Sequence, residues 1–135
     1  MAISDNKSVE YEGEAGLGSH WSCLAYSKSA GKFYLFDSMA RSGCAGAAQT
    51  VLPSLSALVG HRDAPLEIVP DMPQQVNGWD CGVYTMAVAR LLCAMVASGK
   101  SGTPEDLHTL SPDRVNDVRV QVRRAIEQTA REQNT

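Results

Sequence analysis

The sequence predicts an α+β domain. An aromatic-rich β-hairpin can be read between residues 21 and 36. The C-terminal half then carries two different helical periodicities, one almost wholly apolar at residues 83–96 and one amphipathic from residue 112. With 135 residues the chain is one domain at most. At 44% hydrophobic and 20% charged residues it has ordinary globular usage, enough to build a core.

The elements follow in order. Met1-Ala2-Ile3 reads as the tail of a strand, and Ser4 to Ser19, with Gly13, Gly16 and Gly18, as a polar loop. Trp21 to Tyr26 and Lys32 to Phe36 are strands, the second dense in aromatics, with Ser27-Lys28-Ser29-Ala30-Gly31 as the turn between them. Antiparallel pairing across that turn brings together residues whose numbers sum to about 57–60, which puts Asp37 opposite residues 20 to 23. Ala48, Val51, Leu52, Leu55, Leu58 and Val59 recur at helical spacing, and Pro53 predicts a kink or a short helix. Pro65 to Val69 is a brief strand, and Asp71 to Asp80 a loop.

Val83 to Val96 is apolar on most faces, as a buried helix is. Ser98 to Thr103 is a linker. Ser111-Pro112 supplies an N-cap and a proline at the first helical position. Val115, Val118, Val122 and Ile126 form the apolar stripe of the helix that follows, and Arg119, Arg123 and Arg131 read as its solvated face.

Composition also excludes classes of function. No run of about 18 apolar residues exists, so no membrane span is expected. Twelve Lys+Arg against fifteen Asp+Glu give a net charge of −3 with no basic patch, so no nucleic-acid partner is expected. The cysteines Cys23, Cys44, Cys81 and Cys93 include no Cys-x-x-Cys pair, and the acidic N-terminus lacks the apolar core of a signal peptide. The expectation is free thiols in the cytoplasm and nucleus, in a monomer. Cys23, Cys44 and Cys93 read as small buried hydrophobes. A metal site built from His20, Cys23, His61 or Cys81 lacks a supporting ligand pair, so no metal and no cofactor are expected. His61, in a polar turn, and His108 carry no assigned role.

Cys81 is placed differently. It opens the apolar helix in Asp80-Cys81-Gly82, where helix amides and dipole favour a thiolate. Gly82 lets a substrate backbone approach, and Gly78 permits the sharp turn that presents Cys81. His20 begins the first hairpin strand and Asp37 follows the second, so a carboxylate can orient an imidazole. Taken singly, each of the three is an ordinary structural residue. Taken together they have the residue types of a nucleophile, a base and its orienting acid.

His20-Trp21-Ser22-Cys23-Leu24-Ala25-Tyr26, then Phe36-Asp37-Ser38-Met39, then Pro73-Gln74-Gln75-Val76-Asn77-Gly78-Trp79-Asp80-Cys81-Gly82-Val83-Tyr84, resemble the ubiquitin-like-protein-specific cysteine proteases. These are the sentrin-specific type, which share a papain-like fold and the order His, Asp, Cys. The resemblance covers nearly all of residues 1–135. It implies a catalytic domain lacking its N-terminal third, because only 19 residues precede His20.

The resemblance further implies a peptidase or isopeptidase that cleaves after the C-terminal Gly-Gly of a ubiquitin-like modifier, without cofactor. The polar loop before His20 and the short C-terminal half incline towards Nedd-type over SUMO modifiers. Cys81 would be the nucleophile, His20 the base and then acid, and Asp37 its orienting partner. Residue types alone do not choose between Gln74 and Gln75 as the oxyanion donor, and the family pattern picks Gln75. Trp21 would wall the channel for the Gly-Gly tail, with core packing an equal reading. Asn77, Trp79 and Gly82 complete the substrate-binding set. Loop shape is the reading for Asn77, and Trp79 stays open between substrate contact and packing. An inert modifier-binding fragment and a His-Asp-Cys acyltransferase are the alternatives.

Overall fold

The computed structural model describes residues 1–5, 20–100, 104, 107 and 110–133. The polar loop expected at Ser4 to Ser19 lies, beyond Asp5, outside the described residues, as do residues 101–103 of the expected linker and His108. The described residues form one four-stranded mixed sheet with helices on both faces, an α+β architecture. Its order is β1 (Ala2–Ser4), β2 (Trp21–Ser27), β3 (Lys32–Phe36) and β4 (Leu66–Ile68). β1, β2 and β3 run antiparallel, and β4 lies parallel to β3.

The hairpin register pairs Cys23 with Phe36 and Ser27 with Lys32, within the expected range. The turn closes through the Gly31 N–H, which donates to the Ser27 carbonyl at 2.8 Å. Gly31 sits there at φ 64°, where a side chain would be strained.

Alternation along the strands divides the core in two, because successive side chains point to opposite faces. Cys23, Tyr34 and Phe36 pack on one face with Tyr84, Ala87 and Val88 of α2 (Cys81–Ala97) and Val115 and Val118 of α3 (Pro112–Gln133). Leu24, Phe33 and Leu35 pack on the other with Ile3, Ala64, and Cys44 and Ala48 of α1 (Cys44–Leu58). Because both faces are covered, β3 is apolar at consecutive positions rather than at every second one. Leu35 and Phe36, at 0% and 2% exposure, each contribute roughly 1.5–3 kcal/mol by leaving water.

The helices depart from the sequence reading in three places. α1 starts at Cys44, ahead of the periodic residues, and runs through Pro53 to Leu58. α2 is not buried all round: Met86 and Val96 are 41% and 65% exposed. The sheet covers one face of α2 and α3 reaches part of the rest, so its apolar composition exceeds what these neighbours cover. Cys93 lies on that open side and is exposed, contrary to the expectation of a buried thiol.

α3 opens as expected, with the Ser111 hydroxyl accepting from the Arg114 N–H at 3.3 Å. Its stripe holds Val115 and Val118 in the core and Val122 against it, but Ile126 is 64% exposed. No helix among the described residues is long and apolar enough to cross a membrane.

Candidate active site

The hairpin brings His20 and Asp37 together. His20 immediately precedes β2 and is 1% exposed, and its Nε2 lies 2.6 Å from Asp37 Oδ1. A carboxylate at that distance holds the ring proton on Nε2, which leaves the lone pair on Nδ1. Nδ1 is buried and has no hydrogen-bond partner among the described residues. An unpaired buried acceptor is costly unless something is meant to meet it.

Both partners are fixed from outside. The Asp5 carboxylate accepts from the His20 backbone N–H at 2.9 Å, and the Asp5 N–H donates back to the His20 carbonyl at 3.2 Å. Asp37 Oδ1 also accepts from the Met39 N–H at 3.0 Å, and its Oδ2 accepts from the Ser42 hydroxyl. The donor atoms of His20, Asp37 and Cys44 lie within 4.8 Å of one another, a grouping with metal-ligating types. Here the first two are engaged with each other. The Cys44 thiol, pushed up by burial, donates weakly to the Ile3 and His20 carbonyls at 3.7 and 3.9 Å.

Cys81 is the first residue of α2 and is 7% exposed. The loop leading to it is tied to the strand end that carries Asp37. The Gln75 N–H donates to the Ser38 carbonyl at 2.8 Å, and the Ser38 hydroxyl donates to Gln75 Oε1 at 2.7 Å. Gln74 Nε2 donates to the carbonyls of Asp37 and Met72, and Gln74 Oε1 accepts from the Ala40 N–H. The two glutamines therefore differ. Gln74 spends both amide hydrogens on the main chain. Gln75 Nε2 donates once among the described residues, to the Asn77 carbonyl at 2.6 Å, which leaves its second hydrogen.

Asn77 shapes the loop. Its Oδ1 accepts from the N–H groups of Trp79 and Asp80, and its Nδ2 donates to Asp80 Oδ2 at 2.8 Å. Gly78 is not among the residues with positive φ, so this side-chain turn, rather than glycine's freedom, makes the bend. Trp21 and Trp79 are 44% and 76% exposed, so neither is a core residue. A Cβ added at Gly82 would meet nothing within 4 Å, so the protein itself does not crowd that position.

Sequence reading misses Asp5, Ser38, Ser42 and Arg119. Arg119 belongs to the set read as solvated, yet its guanidinium donates to Asp80 Oδ1. Hydrogen bonds from Arg119, then from Asn77, hold the Asp80 carboxyl below the usual carboxylate range. His61 is exposed, and its Nδ1 lies 3.1 Å from the Tyr26 hydroxyl. Two concavities between α2 and α3, of about 260 and 410 Å³, are not lined by His20, Asp37 or Cys81.

His20 rests one ring nitrogen on the Asp37 carboxylate and leaves the other open, in a mixed sheet followed by α2, which begins with Cys81; these are the residue types that thiol proteases use. The sequence profile of the Ulp1 protease family, C-terminal catalytic domain, matches residues 15–133, and the chain belongs to that family. It is 35% identical over 127 residues to NEDD8-specific protease 1 of Arabidopsis thaliana, a match covering 90% of this chain and 54% of that protein. It is also 35% identical over 94 residues to sentrin-specific protease 8 of Homo sapiens, covering 69% and 42% respectively. The chain spans about half the length of the curated relatives it matches.

Proposed function

We propose that this chain carries the catalytic centre of a cysteine protease that cleaves after the C-terminal Gly-Gly of a ubiquitin-like modifier, NEDD8-type in preference to SUMO-type. The observation that carries the reading is the His20–Asp37 pair at 2.6 Å with Nδ1 buried and, among the described residues, unpartnered. An imidazole so held is ready to take a proton.

The steps follow from the groups present. His20 Nδ1 accepts the Cys81 thiol proton, and the thiolate attacks the carbonyl carbon of the terminal glycine. Negative charge gathers on the carbonyl oxygen, where the Cys81 backbone N–H and the spare Gln75 amide hydrogen stabilise it. The tetrahedral adduct collapses as His20 returns its proton to the leaving amine, which leaves a thioester on Cys81. His20 then deprotonates a water that attacks the thioester, releasing the modifier's carboxylate and restoring the thiol. Asp37 stays ionised and stabilises the imidazolium. Trp21, Trp79, Asn77 and Gly82 would border the thin Gly-Gly tail, and the two exposed tryptophans suit contact with an extended peptide. The name of one relative, NEDD8-specific protease 1, supports the NEDD8-type preference.

The test is covalent capture. Modifiers of NEDD8 and SUMO type bearing a C-terminal electrophile are incubated with the chain and its Cys81→Ala variant. The expected result is an adduct on Cys81 with the NEDD8-type probe, slower with the SUMO-type probe and absent in the variant. Modifier binding by titration without any adduct would replace this reading with an inert docking module. An acetylated Cys81 after incubation with acetyl-CoA would replace it with an acyltransferase.

A further inference from the structure

Asp80 occupies the N-cap of α2 at φ −87°, ψ −2°, yet its side chain makes no capping hydrogen bond. An aspartate there ordinarily accepts from the second or third helical N–H and covers the positive end of the helix. In this chain both carboxylate oxygens are used elsewhere. Oδ1 takes the Arg119 guanidinium from α3, and Oδ2 takes Asn77 Nδ2. Arg119 is held in place by its neighbour Val118, which packs into the core against α2. Hydrogen bonds from Arg119, then Asn77, keep the Asp80 carboxyl below its ordinary range, so at neutral pH it is an anion directly beside Cys81. A free anion at that place would compete for the helix amides and repel a thiolate.

We infer that Arg119 is a positioning residue for the nucleophile: by drawing the Asp80 carboxylate off the tip of α2, it leaves the first helical amides to the Cys81 thiolate. The inference rests on the reading of Cys81 as nucleophile. Other groups bear on the same tip. Tyr84, one turn along α2, is pushed up by burial and then by the Asp80 charge. Cys23 on β2 shares the Tyr84 cluster and is pushed up by burial. His20 and Asp37 join them on the reading above. Arg119 is the cation that bonds Asp80 directly.

The experiment follows iodoacetamide alkylation of Cys81 against pH, resolved by peptide mass spectrometry so that exposed Cys93 serves as the internal reference. It compares the wild type with Arg119→Ala, Arg119→Lys, Asp80→Ala and the double variant. Arg119→Ala is expected to raise the Cys81 midpoint by about one pH unit, about a tenfold loss of thiolate at pH values below the wild-type midpoint. Arg119→Lys should lie between, and serves if the alanine variant fails to fold. Asp80→Ala should leave the midpoint low, and the double variant should follow Asp80→Ala rather than Arg119→Ala. An unchanged midpoint in Arg119→Ala, or a double variant as impaired as the single, overturns the role of Arg119 while leaving the nucleophile intact. A wild-type Cys81 midpoint no lower than that of Cys93 overturns the nucleophile reading itself.

Discussion

His20 and Asp37 are held mainly by main chain, whereas Cys81 is presented by a loop tied down mainly through side chains. At the hairpin end, strand pairing sets the positions and Asp5 grips the His20 backbone from both sides. At the helix end, side-chain hydrogen bonds run from Ser38 through Gln75 and Asn77 to Asp80, the N-cap of α2, and Gln74 separately ties down the Asp37 carbonyl. Backbone ladders tolerate most substitutions, because every residue type carries the same amide. Side-chain networks do not, since removing one partner leaves the other unsatisfied. The hairpin end should therefore lose activity mainly when the reacting groups, or the Asp5 and Ser42 side chains that hold them, change. The helix end should also lose it when a neighbour changes.

The sharpest break in that contrast is Asp37→Asn. The amide oxygen of the replacement could still accept from the Met39 N–H, so the fold should survive. That same oxygen faces His20 Nε2 and can still accept its proton, but as a neutral amide it no longer stabilises the imidazolium as a carboxylate does. The expected outcome is a fall in kcat of about 10²–10⁴-fold with an unchanged melting temperature, read by hydrolysis of a modifier-derived C-terminal reporter. A loss below about tenfold would remove Asp37 from the proposed mechanism.

The two glutamines come next, as neighbours with opposite duties. Gln75→Ala removes the spare amide hydrogen and should lower kcat by about 10²–10³-fold. Gln74→Ala releases Asp37 and Met72 carbonyls and the Ala40 N–H at a partly exposed place. It should act on loop stability, by about 1 kcal/mol, with kcat falling much less. Steady-state kinetics and denaturant midpoints on both variants separate the duties, and a reversed order would transfer the oxyanion role to Gln74.

How much of this is legible in sequence follows the same division. The hairpin is legible because aromatic runs around a glycine turn fix a register, and that register alone brings residue 20 beside residue 37. The helix start at Cys81 is legible from the apolar run behind it. Asp5 and Ser42 are not, since neither contact leaves a periodic trace. Arg119 reads as solvated because an arginine opposite an apolar stripe usually is, and only the packing of α3 on α2 turns it towards Asp80. The exposure of Cys93 and Met86 is illegible for a related reason: composition tells that a helix wants cover, not which faces its neighbours reach. Gly78 misleads because Asn77 can make a tight turn with its own side chain.

The smallest expected effect concerns the Asp80 carboxylate as a stability element. Its folded pKa is depressed, so it contributes stability that is fully present above its unfolded value, near about pH 4, and is lost as pH falls through the folded one. Wild type should therefore exceed Asp80→Asn in denaturant midpoint at about pH 6, and the difference should close towards about pH 2. The Arg119 side chain is 42% exposed, so screening limits the gap to at most about 1 kcal/mol and salt should shrink it. A gap that widened on acidification would have the wrong sign for a paired carboxylate. It would mean that Asp80 is strained in the folded chain rather than held there, and the helix end of the site would then owe its shape to Asn77 alone.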